Sequence, residues 1–94
     1  MTQQAIPQTQ LQLMIVSDNL LTRMGLASLL EDRGCIIAGQ SDGTTLNNDI
    51  EMFRPDILLV DMGWHNEPMR LRLASMDSDL PILALVTSGD SDDS

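Results

Sequence analysis

Four short apolar runs punctuate the chain: Leu13-Met14-Ile15-Val16, Cys35-Ile36-Ile37-Ala38, Ile57-Leu58-Leu59-Val60 and Ile82-Leu83-Ala84-Leu85-Val86. Each is continuous rather than alternating, which marks strands covered on both faces and hence a parallel sheet between helices. Between them lie helical stretches. Asn19 is placed to cap a first helix that closes at Arg33-Gly34, with Leu20, Met24, Ala27 and Leu30 as its apolar face. Gly34 suits the left-handed position beyond the last turn. A second helix runs from Thr45 to Phe53 and stops at Arg54-Pro55, because the residue before proline avoids the right-handed helical region. A third runs from Met69 to Met76, after Pro68. The element order is βαβαβαβ, which predicts right-handed crossovers and an open α/β sheet.

Such sheets bind ligands at the carboxyl ends of their strands, where the strand order reverses. The positions of interest are therefore those that end the apolar runs: Ser17 and Asp18, Gly39, Asp61 and Thr87. Asp18 and Asp61 carry carboxylates. If the first and third strands are neighbours, these acids converge, and their repulsion is relieved by a hard divalent cation such as magnesium. The simpler reading makes Asp18 a helix-start residue and Asp61 a strand terminus.

Length and charge narrow the rest. Ninety-four residues suffice for one small domain. The first ten residues, MTQQAIPQTQ, hold no basic residue and no apolar core, so they read as a polar leader and not as a signal peptide. Residues 11–94 form the domain, and no apolar run is long enough to span a bilayer. The formal charge is −9, all five basic residues are arginine, and only Phe53 and Trp64 are aromatic. Nucleic-acid binding by this segment is not expected, since it needs clustered cations and stacking side chains. The single cysteine, Cys35, excludes an internal disulfide and a cysteine-rich zinc site, and it reads as a buried, inert thiol in a reducing cytoplasm. His65 and Glu67 follow Asp61 in a loop and read as exposed. Trp64 reads as a partly buried loop aromatic, and the acidic end Asp90-Ser91-Asp92-Asp93-Ser94 as solvated. Gly39-Gln40-Ser41-Asp42-Gly43 has the wrong glycine spacing for a dinucleotide fingerprint.

Several segments resemble the receiver domain of two-component response regulators, in the subgroup of LuxR-type transcription regulators. They are Met14-Ile15-Val16-Ser17-Asp18-Asn19, Leu21-Thr22-Arg23-Met24-Gly25-Leu26, Ile37-Ala38-Gly39-Gln40-Ser41-Asp42-Gly43, Arg54-Pro55-Asp56-Ile57-Leu58-Leu59-Val60-Asp61 and Leu80-Pro81-Ile82-Leu83-Ala84-Leu85-Val86-Thr87. The resemblance runs from about Leu11 to Asp93. It implies a flavodoxin-like open parallel sheet of strand order 2-1-3-4, stopping short of the family's fifth strand and last helices. It implies phosphorylation of Asp61 by a histidine kinase, magnesium held by Asp18, Asp61 and the carbonyl of Gly63, and a switch hydroxyl at Thr87. It makes the chain a phosphoprotein that controls a transcriptional effector in the cytoplasm, and not an enzyme.

Three features depart from the family. Ser17 stands where the family has a second acid, the turn after Asp61 is Met62-Gly63-Trp64-His65-Asn66-Glu67-Pro68 in place of Met-Pro-Gly, and no lysine is present to pair with the phosphoryl group. They keep open a second reading, a degenerate receiver that acts by protein–protein contact without phosphorylation. A flavin or cobalamin binder fits less well: His65 lies four residues past Asp61 and the loop after the first strand lacks a hydroxyl-rich phosphate cradle. Without a fifth strand, the fourth becomes an exposed apolar edge, which predicts that the chain dimerises, swaps or is partly unfolded; an effector protein or a second copy is the expected partner.

Overall fold

The structure is a computed structural model and describes residues 11–63 and 67–86. Seven elements follow one another: β1 (Gln12–Val16), α1 (Leu20–Asp32), β2 (Ile36–Ser41), α2 (Leu46–Phe53), β3 (Ile57–Asp61), α3 (Glu67–Ala74) and β4 (Ile82–Leu85). The four strands form one sheet in the order β2-β1-β3-β4, all pairs parallel. The chain is thus an open α/β sheet, as its pattern predicts, with the flavodoxin-like strand order that the resemblance implies. The order reverses between β1 and β3. The crevice of such a sheet opens there, outside the carboxyl ends of those two strands.

Two apolar layers hold the sheet. On one face Met14, Val16, Leu58 and Val60 pack with Leu46 of α2 and Met69 of α3, and Met62, Ile50 and Phe53 join them. On the other, Ile15 and Leu59 pack under Ala27, Leu26 and Leu30 of α1, beside Ile37. Met14, Ile15 and Val16 of β1 and Leu58, Leu59 and Val60 of β3 are buried because each face of the sheet has its own helical cover. The edge strand β4 is different: all four of its residues are exposed, and Val86 beyond it is 63% exposed.

Gly39 makes room in the first of these layers. A Cβ there would lie 2.5 Å from Cγ and Cδ2 of Phe53, so the ring packs against bare backbone. The β1–β2 register slips by one residue beside it, between Leu13–Ile37 and Met14–Gly39.

The helices depart from expectation in their faces and ends. Leu20 and Met24 are exposed, and the buried stripe of α1 is Leu26, Ala27 and Leu30. This helix carries apolar residues around much of its circumference, so periodicity alone marks two stripes and the sheet decides between them. Asn19 does cap it: its Oδ1 accepts the Thr22 N–H at 3.0 Å. Gly34 takes φ +89°, as a residue past a helix end does. Thr45 precedes α2 without a side-chain cap bond. Arg54 ends α2 in the left-handed region at φ 52°, where Pro55 forbids the helical one, and its N–H still reaches Ile50 O at 2.8 Å. The third helix begins at Glu67 and not at Met69, with Pro68 in its first turn, where no N–H is needed, and it ends at Ala74 and not at Met76. Cys35 lies before β2, half-buried, rather than inside it as a fully buried thiol, and β2 continues past Gly39 to Ser41.

Candidate functional site

The register of β1 on β3 pairs Ile15 with Leu59 and Val16 with Val60, which brings Ser17 level with Asp61 at the carboxyl end. Alternation puts both on the α1 side of the sheet, in the row of Ile15 and Leu59. On the opposite flank Asp61 pairs with Leu85. Asp61 is half-buried and Ser17 fully buried, whereas Asp18 is exposed.

Both carboxylate oxygens of Asp61 are engaged. Oδ1 accepts the N–H of Gly63 at 3.0 Å, closing a tight turn in which Gly63 adopts φ +75°. Oδ2 accepts the hydroxyl of Ser17 at 2.9 Å. The Ser17 oxygen in turn accepts the Asn19 N–H at 3.1 Å, so its one proton is committed to Asp61. Ser17 thus stands in the position of the family's second acid and is joined directly to Asp61. The Ser17 main chain is held as firmly: its N–H donates to Ser41 O at 2.9 Å, and its carbonyl accepts Nη1 of Arg23, from α1, at 2.6 Å.

The neighbouring loop after β2 is built from its own polar side chains. Ser41 Oγ donates to Asp49 Oδ2 at 2.7 Å and accepts the Gly43 N–H at 2.9 Å. Asp42 Oδ1 accepts the Thr44 hydroxyl at 2.6 Å and the Thr44 N–H at 2.9 Å. These bonds, with weaker contributions from the charges of Arg23 and Arg72, hold the Asp42 carboxyl below its ordinary pKa against a small opposing effect of burial. Arg72 Nη1, from α3, donates to Asp42 O at 3.0 Å.

Of the residues singled out in the sequence, Asp18, Asp61 and Gly63 thus stand at one end of the sheet, beside the strand-order reversal. Thr87, Trp64, His65, the leader and the acidic end lie outside the described residues. Sequence reasoning assigns no role to Arg23, Ser41 or Asp49. The turn-forming run Ser41-Asp42-Gly43-Thr44-Thr45 was the available signal for the last two. Arg23 gave none, because its contact is to backbone.

The donor chemistry suits a hard divalent cation in part. Asp18, Asp61 and the Gly63 carbonyl are oxygen donors, but Ser17 already uses a lone pair of Asp61. Among the described residues no group of three His, Cys, Asp or Glu side chains gathers for a metal. No helix among them is long and apolar enough to cross a membrane. A scan against protein-family models and a search of curated proteins both give no match to this chain.

Proposed function

We propose that this chain is a phospho-acceptor receiver module of a two-component response regulator, in which Asp61 takes a phosphoryl group from a histidine kinase. One observation carries the reading: a half-buried carboxylate ends a central parallel strand at the strand-order reversal, with both oxygens held by donors from adjacent loops. A carboxylate so oriented needs little rearrangement to act as a nucleophile. One Asp61 oxygen bonds to phosphorus while the P–N bond of the phosphohistidine breaks. The imidazole leaves with the electron pair and takes a proton from water, and an acyl phosphate remains on Asp61.

Magnesium would be held by Asp18, Asp61 and the Gly63 carbonyl, and it would neutralise charge at the phosphoryl group. The outcome would be read by an effector protein or a second copy of the chain, for which β4, at the edge of the sheet among the described residues, offers an exposed apolar strand. A cytoplasmic setting and control of transcription follow from the same reading.

The test is incubation of the chain with acetyl phosphate and magnesium, read by intact mass. Gain of one hydroxylamine-labile phosphoryl group, lost in Asp61→Asn, supports the proposal; no gain overturns it. One observation favours a second reading. The Ser17 hydroxyl occupies Asp61 Oδ2 as a fixed structural bond, which suits a degenerate receiver working by protein contact alone. Signalling output unchanged by Asp61→Asn in the parent protein would select that reading.

A further inference from the structure

Arg23 is half-buried on the first turns of α1, on the side of the sheet that carries Ser17 and Asp61. Its Nη1 is anchored on the Ser17 carbonyl at 2.6 Å, while the hydroxyl of the same serine binds Asp61 at 2.9 Å. One fully buried residue therefore joins the guanidinium to the carboxylate. A guanidinium carries five N–H donors in a planar fork suited to tetrahedral oxyanions. Among the described residues, the bond to Ser17 is the one hydrogen bond that the Arg23 side chain makes. Anchoring one arm to backbone fixes the fork without neutralising its charge. The charge reaches the neighbouring loop as well, where it acts on the Asp42 carboxyl.

We propose that Arg23 is the anion-binding cation of the Asp61 site, its guanidinium receiving the oxygens of a phosphoryl group, or of a tetrahedral phosphoryl mimic, seated on Asp61. The inference rests on the receiver reading and adds to it the residue that meets the incoming charge. The bond to the Ser17 carbonyl holds the guanidinium against the residue whose hydroxyl binds Asp61.

The experiment titrates beryllofluoride into the intact chain, with affinity read by fluorine NMR, for the parent, Arg23→Gln and Arg23→Lys. A charge-assisted contact to the anion makes Arg23→Gln bind about tenfold or more weakly. Arg23→Lys, which keeps the charge, recovers most of the affinity. If Arg23→Gln binds like the parent, the inference is overturned and the receiver reading stands. If the parent itself binds none, the receiver reading fails, and this inference with it. Circular dichroism checks that the variants fold. Should Arg23→Gln unfold, the Arg23 Nε–H resonance of the parent decides: a shift on adding beryllofluoride supports the contact, and an unmoved resonance overturns it.

Discussion

Ser17→Asp tests the geometry of the site most directly. Ser17 is fully buried and its hydroxyl lies 2.9 Å from Asp61 Oδ2. The substitution replaces a donor by a second carboxylate. Two unit charges about 4 Å apart repel by roughly 4 kcal/mol at an effective dielectric constant near 20. The lost hydrogen bond to a charged acceptor adds roughly 1.5–3 kcal/mol. Relaxation and partial protonation recover some of this, which leaves a net loss of about 3–5 kcal/mol. A domain of this size has only about 5–14 kcal/mol in total, so the melting temperature should fall by more than about 10 °C. The sign with pH follows from the charge. Repulsion raises the pKa of the introduced carboxyl in the folded state, so the loss is small where the carboxyls are protonated and grows as pH rises above the ordinary carboxylate range. Magnesium should reverse it, by about 2.7 kcal/mol at a hundredfold excess over its dissociation constant. The assay is thermal unfolding at several pH values, with magnesium or with EDTA. A variant as stable as the parent at neutral pH in EDTA would refute the Ser17–Asp61 contact. A destabilised variant that magnesium does not rescue would refute the proposed cation site alone.

Two further perturbations probe the frame around the site. Gly39→Ala should cost about 1–3 kcal/mol, since the new methyl group would overlap the root of the Phe53 ring and not a mobile tip; chemical denaturation measures this, and Phe53→Leu in the same chain should recover part of it. Thr44→Val should raise the Asp42 carboxyl pKa toward its ordinary value, because the Thr44 hydroxyl is the largest cause of its depression. A lowered folded-state pKa contributes stability above the unfolded value and loses it as pH falls through the folded one, so the variant should lose this small contribution at a higher pH. Carboxyl-carbon NMR of Asp42 checks the shift, and an unchanged titration would contradict it.

Why the fold was legible and the site only partly so comes down to which groups make the contacts. Strand positions were written in continuous apolar runs, because β1 and β3 are covered on both faces and tolerate few polar side chains. Helix limits were written in Asn19, Gly34 and Pro55, each of which constrains backbone locally. The buried stripe of α1 was not, since its apolar residues are spread too widely for the period to choose Leu26 over Met24. The site divides along the same line. Asp61 stood out because a carboxylate ending an aliphatic strand is costly to bury without partners. Its partners were hidden: Gly63 contributes an N–H that every residue but proline has, and Arg23 meets a carbonyl that any residue offers. Ser17 was seen as an acid missing from a pattern. Its hydroxyl instead uses its single proton on Asp61 and its lone pair on Asn19, so one small side chain ties the acceptor to the cap of α1. That tie gives the serine a physical reason to be where it is: it orients the carboxylate without adding a charge that only a bound cation would make tolerable.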